Sequence, residues 1–171
     1  MTNEIFGSLR ARDDRWVVRM ELSVDCDLAT LWGFVTEPPR LLRWLARVTG
    51  ELSPGGEIEI VFDEDDPHQR ITGSVVSCES RDRLEITWIF DDGTPTDIAV
   101  TVAGDGGGTA TLALEHSGLS AGLATGYGAG WQAYLEGLRV VCAGGDIADG
   151  AWEQRWQELK PRYDELLKNL G

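Results

Sequence analysis

The chain has 171 residues, 42% hydrophobic and 26% charged, the balance of a single globular domain rather than of a disordered or fibrous chain. Its 29 acidic and 15 basic residues give a formal net charge of −14, which argues against nucleic acid and anionic membrane surfaces, since both are bound by clustered Lys and Arg. No apolar run is long enough to span a bilayer or act as a signal sequence, so a soluble, cytoplasmic protein is expected.

Residues 1–14 are polar and mixed, and a flexible N-terminus is expected there. Trp16, Val18, Met20 and Leu22 then alternate with Val17, Arg19, Glu21 and Ser23, the pattern of a strand with one buried face. Asp25 or Asp27 can cap a helix over residues 27–36, with Leu28, Leu31, Trp32 and Val35 at helical spacing. Pro38-Pro39 ends that helix and can open a short second one over residues 40–47, because proline is tolerated in a first turn.

Strands are predicted at residues 48–52, 57–62, 69–78, 81–90, 96–103 and 109–116, separated by turn signals such as Ser53-Pro54-Gly55-Gly56 and Asp91-Asp92-Gly93. The regular hairpin spacing argues for antiparallel pairing. On the last strand Ala110, Leu112, Leu114 and His116 share a face, and on the strand at 81–90 Trp88 and Phe90 do.

A long helix follows over residues 123–142. Its large apolar residues, Leu123, Tyr127, Trp131, Tyr134, Leu138 and Val141, step by three or four and form one stripe, with Gly126, Gly128, Gly130, Gln132, Glu136 and Arg139 on the opposite side. Each interior glycine costs about 0.5–1 kcal/mol relative to alanine, so tertiary packing must hold this helix. Residues 146–171 form a helical extension. Lys160-Pro161 should divide or kink it. The whole reads as an α+β domain: a curved antiparallel sheet of about six to seven strands wrapped around a long C-terminal helix, with two short helices after the first strand.

Five motifs, in order, carry a resemblance. They are Leu31-Trp32 with Thr36-Glu37-Pro38; Leu42-Arg43-Trp44; Glu51 to Gly56; Arg83-Leu84-Glu85-Ile86-Thr87-Trp88; and Leu114 to Leu119 followed by Gly130-Trp131, Leu135 and Leu138. Over about residues 15–145 the chain resembles the START-related helix-grip superfamily, and more closely the branch similar to the C-terminal domain of the heat-shock-protein-90 ATPase activator. The resemblance implies the helix-grip fold for residues 15–145. It does not select a function, because the superfamily hosts lipid carriers, hormone receptors and cyclases.

Strand parity brings Trp88, Phe90, Leu112, Leu114 and His116 toward Trp131, Tyr134 and Leu138, and Trp44 can close one end. These nine residues either line an apolar pocket for a small hydrophobic or amphipathic ligand, with indole N–H groups and the Tyr134 hydroxyl as polar handles, or fill a solid core. His116 is either a proton donor and acceptor beside Tyr134, as in the cyclase or hydratase branches, or a structural hydrogen-bonder. A third reading, by analogy with the chaperone activator, is a protein-interaction module. Trp152, Trp156, Tyr163 and Leu167 could form a homodimer surface or pack back on the domain. Cys26, Cys78 and Cys142 are too widely spaced for a zinc site and odd in number, which predicts free thiols. The acidic run from Asp63 to Asp66 lacks a calcium-loop pattern, and neither a metal nor a cofactor is expected.

Overall fold

The computed structural model describes residues 4–171. Eight antiparallel strands form one sheet: β1 (Ser8–Arg12), β2 (Arg15–Val24), β3 (Arg47–Gly50), β4 (Glu57–Val61), β5 (Arg70–Glu79), β6 (Arg83–Phe90), β7 (Thr96–Gly104) and β8 (Ala110–Leu119). Their order across the sheet is β1-β2-β8-β7-β6-β5-β4-β3. β2 therefore pairs with the last strand, and the intervening strands follow as a meander. Register shifts in β2 near Trp16 and Val18, and in β5 between Val75 and Ser77, mark bulges, which increase local twist and bend the strand.

Helices α1 (Leu28–Thr36) and α2 (Pro38–Leu41) cross from β2 to β3. Asp27 caps α1, its Oδ1 accepting from the Thr30 N–H at 2.7 Å. The second helix is shorter than residues 40–47 and starts earlier. Pro38 and Pro39 occupy its first two positions, where a missing N–H costs nothing, and turns complete the segment.

The long helix α3 (Ala121–Cys142) lies on the concave face of the sheet, capped by Ser120, and α4 (Ala151–Leu170) packs along its other side. This is the helix-grip architecture, with a second helix laid on the gripped one. No helix among the described residues is long and apolar enough to cross a membrane.

Three expectations are corrected here. Ser8–Arg12, within the segment expected to be flexible, pairs with Arg15–Arg19 as edge strand β1, tethered by a tight turn at Asp13 (φ 57°); residues 1–3 lie outside the described residues. α4 is a single helix with Pro161 inside it, so of the two outcomes expected at Lys160-Pro161, a division or a kink, the division does not occur. Finally, the glycine-rich side of α3 faces protein. Gln132, expected on a polar face, is fully buried. Its Oε1 accepts from the Tyr163 hydroxyl at 2.6 Å and from the Phe6 N–H at 3.2 Å, and its Nε2 donates to the Glu4 carbonyl at 2.9 Å.

The glycines permit this. A Cβ on Gly128 would stand 2.6 Å from the ring of Tyr163, so only glycine allows the two helices this approach. Above it, Arg155 holds Glu136 through two bonds of 2.7 and 3.0 Å. The apolar residues considered for a homodimer surface are thus used within the chain: Tyr163 is buried, and Trp152, Trp156 and Leu167 pack against the core.

Candidate functional site

A cavity of about 730 Å³ opens between the sheet, α3 and α4. Phe62, Ile71, Trp88 and Phe90 form its sheet wall. Leu123, Tyr127, Trp131 and Tyr134 come from the stripe of α3, and Trp152 and Trp156 from the first turns of α4. Asp63, Asp66 and Gln69 from the β4–β5 hairpin join Glu153 and Lys160 among its lining residues. The size suits a drug-sized organic ligand.

The rings form a continuous ladder. Phe62 lies 5.9 Å from Tyr134, Tyr134 stacks on Trp152 at 4.9 Å, and Trp152 stacks on Trp156 at 6.4 Å. Trp88 and Trp131 meet at 5.4 Å deeper in. Offset and tilted ring pairs of this kind are favourable beyond their buried area.

Every indole N–H of the wall already has an acceptor inside the protein. Trp88 donates to the Tyr127 hydroxyl at 3.0 Å and Trp131 to His116 Nδ1 at 3.0 Å. Trp152 donates to the Gly130 carbonyl at 3.2 Å and Trp156 to the Gly126 carbonyl at 3.0 Å. The tryptophans therefore present π faces to the cavity and no free donor. Tyr134 differs: its hydroxyl has no protein partner among the described residues, and no buried side-chain polar atom is left unsatisfied, so this hydroxyl reaches solvent. Burial of its ring holds the phenol above its ordinary pKa.

His116 is fully buried and does not line the cavity. Because Nδ1 accepts from an indole that can only donate, the ring proton sits on Nε2. Nε2 then donates to Thr96 Oγ1 at 2.8 Å, and Thr96 donates onward to the Trp88 carbonyl at 3.0 Å. Burial pushes the imidazole down to about pKa 3. A proton added at Nδ1 would also meet the Trp131 N–H head-on. His116 is thus a neutral link between α3 and the sheet. The acid–base pair expected of His116 and Tyr134 does not form, because only Tyr134 stands on the cavity wall.

The other expected residues divide in two. Trp88, Phe90, Trp131 and Tyr134 line the cavity; Phe90 is 41% exposed, at the sheet end rather than in the core. Trp44, Leu112 and Leu114 instead line a separate apolar void of about 60 Å³ deeper in the grip, with Trp44 donating to the Phe34 carbonyl at 2.8 Å. Leu138 is buried and borders neither space. The indole handles expected of Trp44, Trp88 and Trp131 are all spent internally.

Sequence reasoning missed Phe62 and the two α4 tryptophans as wall residues. A signal was present. Gly126 and Gly130 are four apart on α3, Trp152 and Trp156 are four apart on α4, and antiparallel docking matches Trp156 to Gly126 and Trp152 to Gly130.

A family model described as activator of Hsp90 ATPase homolog 1-like protein matches residues 25–143. No curated protein matches the chain. Among solved structures, that of CalU16 from Micromonospora echinospora is similar over 96% of this chain and 97% of its own, with 22% identity and a TM-score of 0.77. DynU16, a protein of the dynemicin biosynthetic locus, is 27% identical over 79% of this chain and 49% of its own, with a TM-score of 0.68. A conserved protein of unknown function from Enterococcus faecalis, EF2215, is 19% identical over 96% of this chain and 92% of its own, with a TM-score of 0.75.

Proposed function

The chain belongs to the activator of Hsp90 ATPase homolog 1-like family, within the helix-grip superfamily, and from that premise we propose that it is a binding protein for a small hydrophobic or amphipathic molecule held between sheet, α3 and α4. One observation carries the reading: a cavity of about 730 Å³ whose wall is an unbroken aromatic ladder from Phe62 to Trp156. Such a surface left open to water is unfavourable at about 25 cal/mol per Å² of apolar area, and a ligand that covers it recovers that energy. Binding rather than turnover is favoured by His116, the strongest acid–base candidate, being withdrawn from the wall. The setting we propose is a reducing cytoplasm, in keeping with Cys26, Cys78 and Cys142 all being free thiols.

The test is titration with N-phenyl-1-naphthylamine, a neutral aromatic fluorophore, read through quenching of the cavity tryptophans. Saturable one-to-one binding is expected. Gly126→Leu should abolish it, because a Cβ at Gly126 meets nothing within 4 Å and a longer side chain grows into the cavity. Failure of the folded chain to bind, or equal binding by the Gly126→Leu variant, would remove the reading.

A further inference from the structure

The charges around the cavity are asymmetric. Asp63, Asp66 and Glu153 line it and make no ion pair among the described residues. Asp63 Oδ1 accepts only the Asp65 N–H and Asp66 Oδ1 only the His68 N–H, while the His68 ring faces Asp91. The single cation of the wall among the described residues, Lys160, is engaged by both oxygens of Asp164 at 2.6 and 2.9 Å. The free full charges bordering the aromatic ladder are therefore all negative.

The donor inventory points the same way. The four wall indoles spend their N–H groups inside the protein. Uncharged donors remain at Tyr134, Gln69 and the Tyr127 hydroxyl, which only accepts from Trp88, and among the described residues of the wall no free cation remains to meet an anionic group. Exposed aromatic faces attract cations through their quadrupole, most strongly at tryptophan. Carboxylates and π faces on one wall thus prefer the same partner, and a ligand carboxylate or phosphate would meet like charge and no counter-ion.

We propose that the cavity selects amphipathic cations: a flat apolar or aromatic body that lies against the ladder, carrying a protonated amine directed toward Asp63, Asp66 and Glu153. This inference rests on the binding reading above and adds the charge class of the ligand.

Three probes of matched shape test it at neutral pH: 9-(aminomethyl)anthracene as cation, 9-anthracenemethanol as neutral molecule and 9-anthracenecarboxylate as anion. Each is followed by tryptophan quenching and sensitised anthracene emission. The amine should bind about tenfold or more tighter than the carboxylate, with the alcohol between, as expected for a few solvent-exposed charge contacts. Molar salt should compress the order. The triple variant D63N/D66N/E153Q, at exposed or half-exposed positions where folding is not at stake, should bring the amine and carboxylate to within about twofold of each other, the change expected for removing rim charges alone; a tenfold preference for the amine that survives in it overturns the assignment to these carboxylates. Equal binding of all three probes, or tightest binding of the carboxylate, overturns the charge selection and leaves the binding reading in place. If none of the three binds, and N-phenyl-1-naphthylamine does not bind either, both fall together.

Discussion

The Trp131 indole donates to Nδ1 of His116 at 3.0 Å, which locks a buried histidine in its neutral form and joins the middle of α3 to β8. The imidazole sits at about pKa 3 in the fold against an ordinary value of 6.5, through burial. The unfolded chain therefore binds a proton that the native state refuses as pH falls through 6.5. Stability from this group is complete above pH 6.5 and is lost progressively between 6.5 and about 3, at roughly 1.4 kcal/mol per pH unit. Urea unfolding at pH 7, 6 and 5 should show this slope before the carboxylates titrate. His116→Gln keeps an acceptor for Trp131 and a donor for Thr96 but does not titrate, so it should flatten the slope. His68, held above its ordinary value by Asp91, contributes the opposite sign and is present in both proteins, so the difference between them isolates His116.

Two glycines of α3 should respond oppositely to the same substitution. Gly128→Ala places a methyl 2.6 Å from the Tyr163 ring, which is fully buried and fixed at its hydroxyl. The ring cannot swing away, so overpacking should cost about 1–3 kcal/mol. Gly126→Ala meets nothing within 4 Å, and removing a helical glycine should add about 0.5–1 kcal/mol. Thermal unfolding of the two variants should move to either side of the parent chain. A loss of stability at Gly126 equal to that at Gly128 would show that α4 does not dock as described.

Tyr163 links three segments of chain through one oxygen: it donates to Gln132 Oε1 at 2.6 Å and accepts from the Gly7 N–H at 3.1 Å. Tyr163→Phe keeps the ring but leaves that N–H without its acceptor. A cost of about 1–3 kcal/mol is expected. Amide exchange at Gly7 and along β1 should quicken more than exchange in β7, because β1 is an edge strand that pairs only with β2.

Alternation and helical spacing made the grip itself legible in the sequence. The buried face of β8 is the Ala110, Leu112, Leu114, His116 series read from parity, and the stripe of α3 does carry Trp131 and Leu138 to the core. β1 was hidden because Ser8–Arg12 has one buried residue, Leu9, and its strand character comes from pairing with β2 rather than from burial. The α4 side of the cavity wall was hidden for a different reason. Glycines at positions 126, 128 and 130 read as a polar or empty face when α3 is considered alone, whereas Gly128 and Gly130 lie directly under the rings of a second helix and Gly126, open to the cavity, gives its carbonyl to Trp156. Periodicity within one element identifies its apolar side. It does not reveal that a side made of small residues is reserved for a partner's rings.

That reserved side makes the C-terminal helix part of the folding unit even though the family model ends at residue 143. A chain ending at Gly145 would lose Leu159 and Tyr163, both fully buried, and would uncover Gln132 and the glycine face of α3. It would also lose Arg155, which holds Glu136, and the Trp152 and Trp156 wall of the cavity. Burying a large apolar side chain contributes about 1.5–3 kcal/mol, so removing several exceeds a large share of the stability available to a domain of this size. The shortened chain is expected to aggregate or to melt far below the parent, and any soluble fraction should fail to bind N-phenyl-1-naphthylamine. Light scattering and near-ultraviolet circular dichroism on the two chains would decide the matter. A shortened chain that stays monomeric with the parent's melting temperature would mean that α4 is an appendage, and that the tryptophans it carries are not part of the wall in solution.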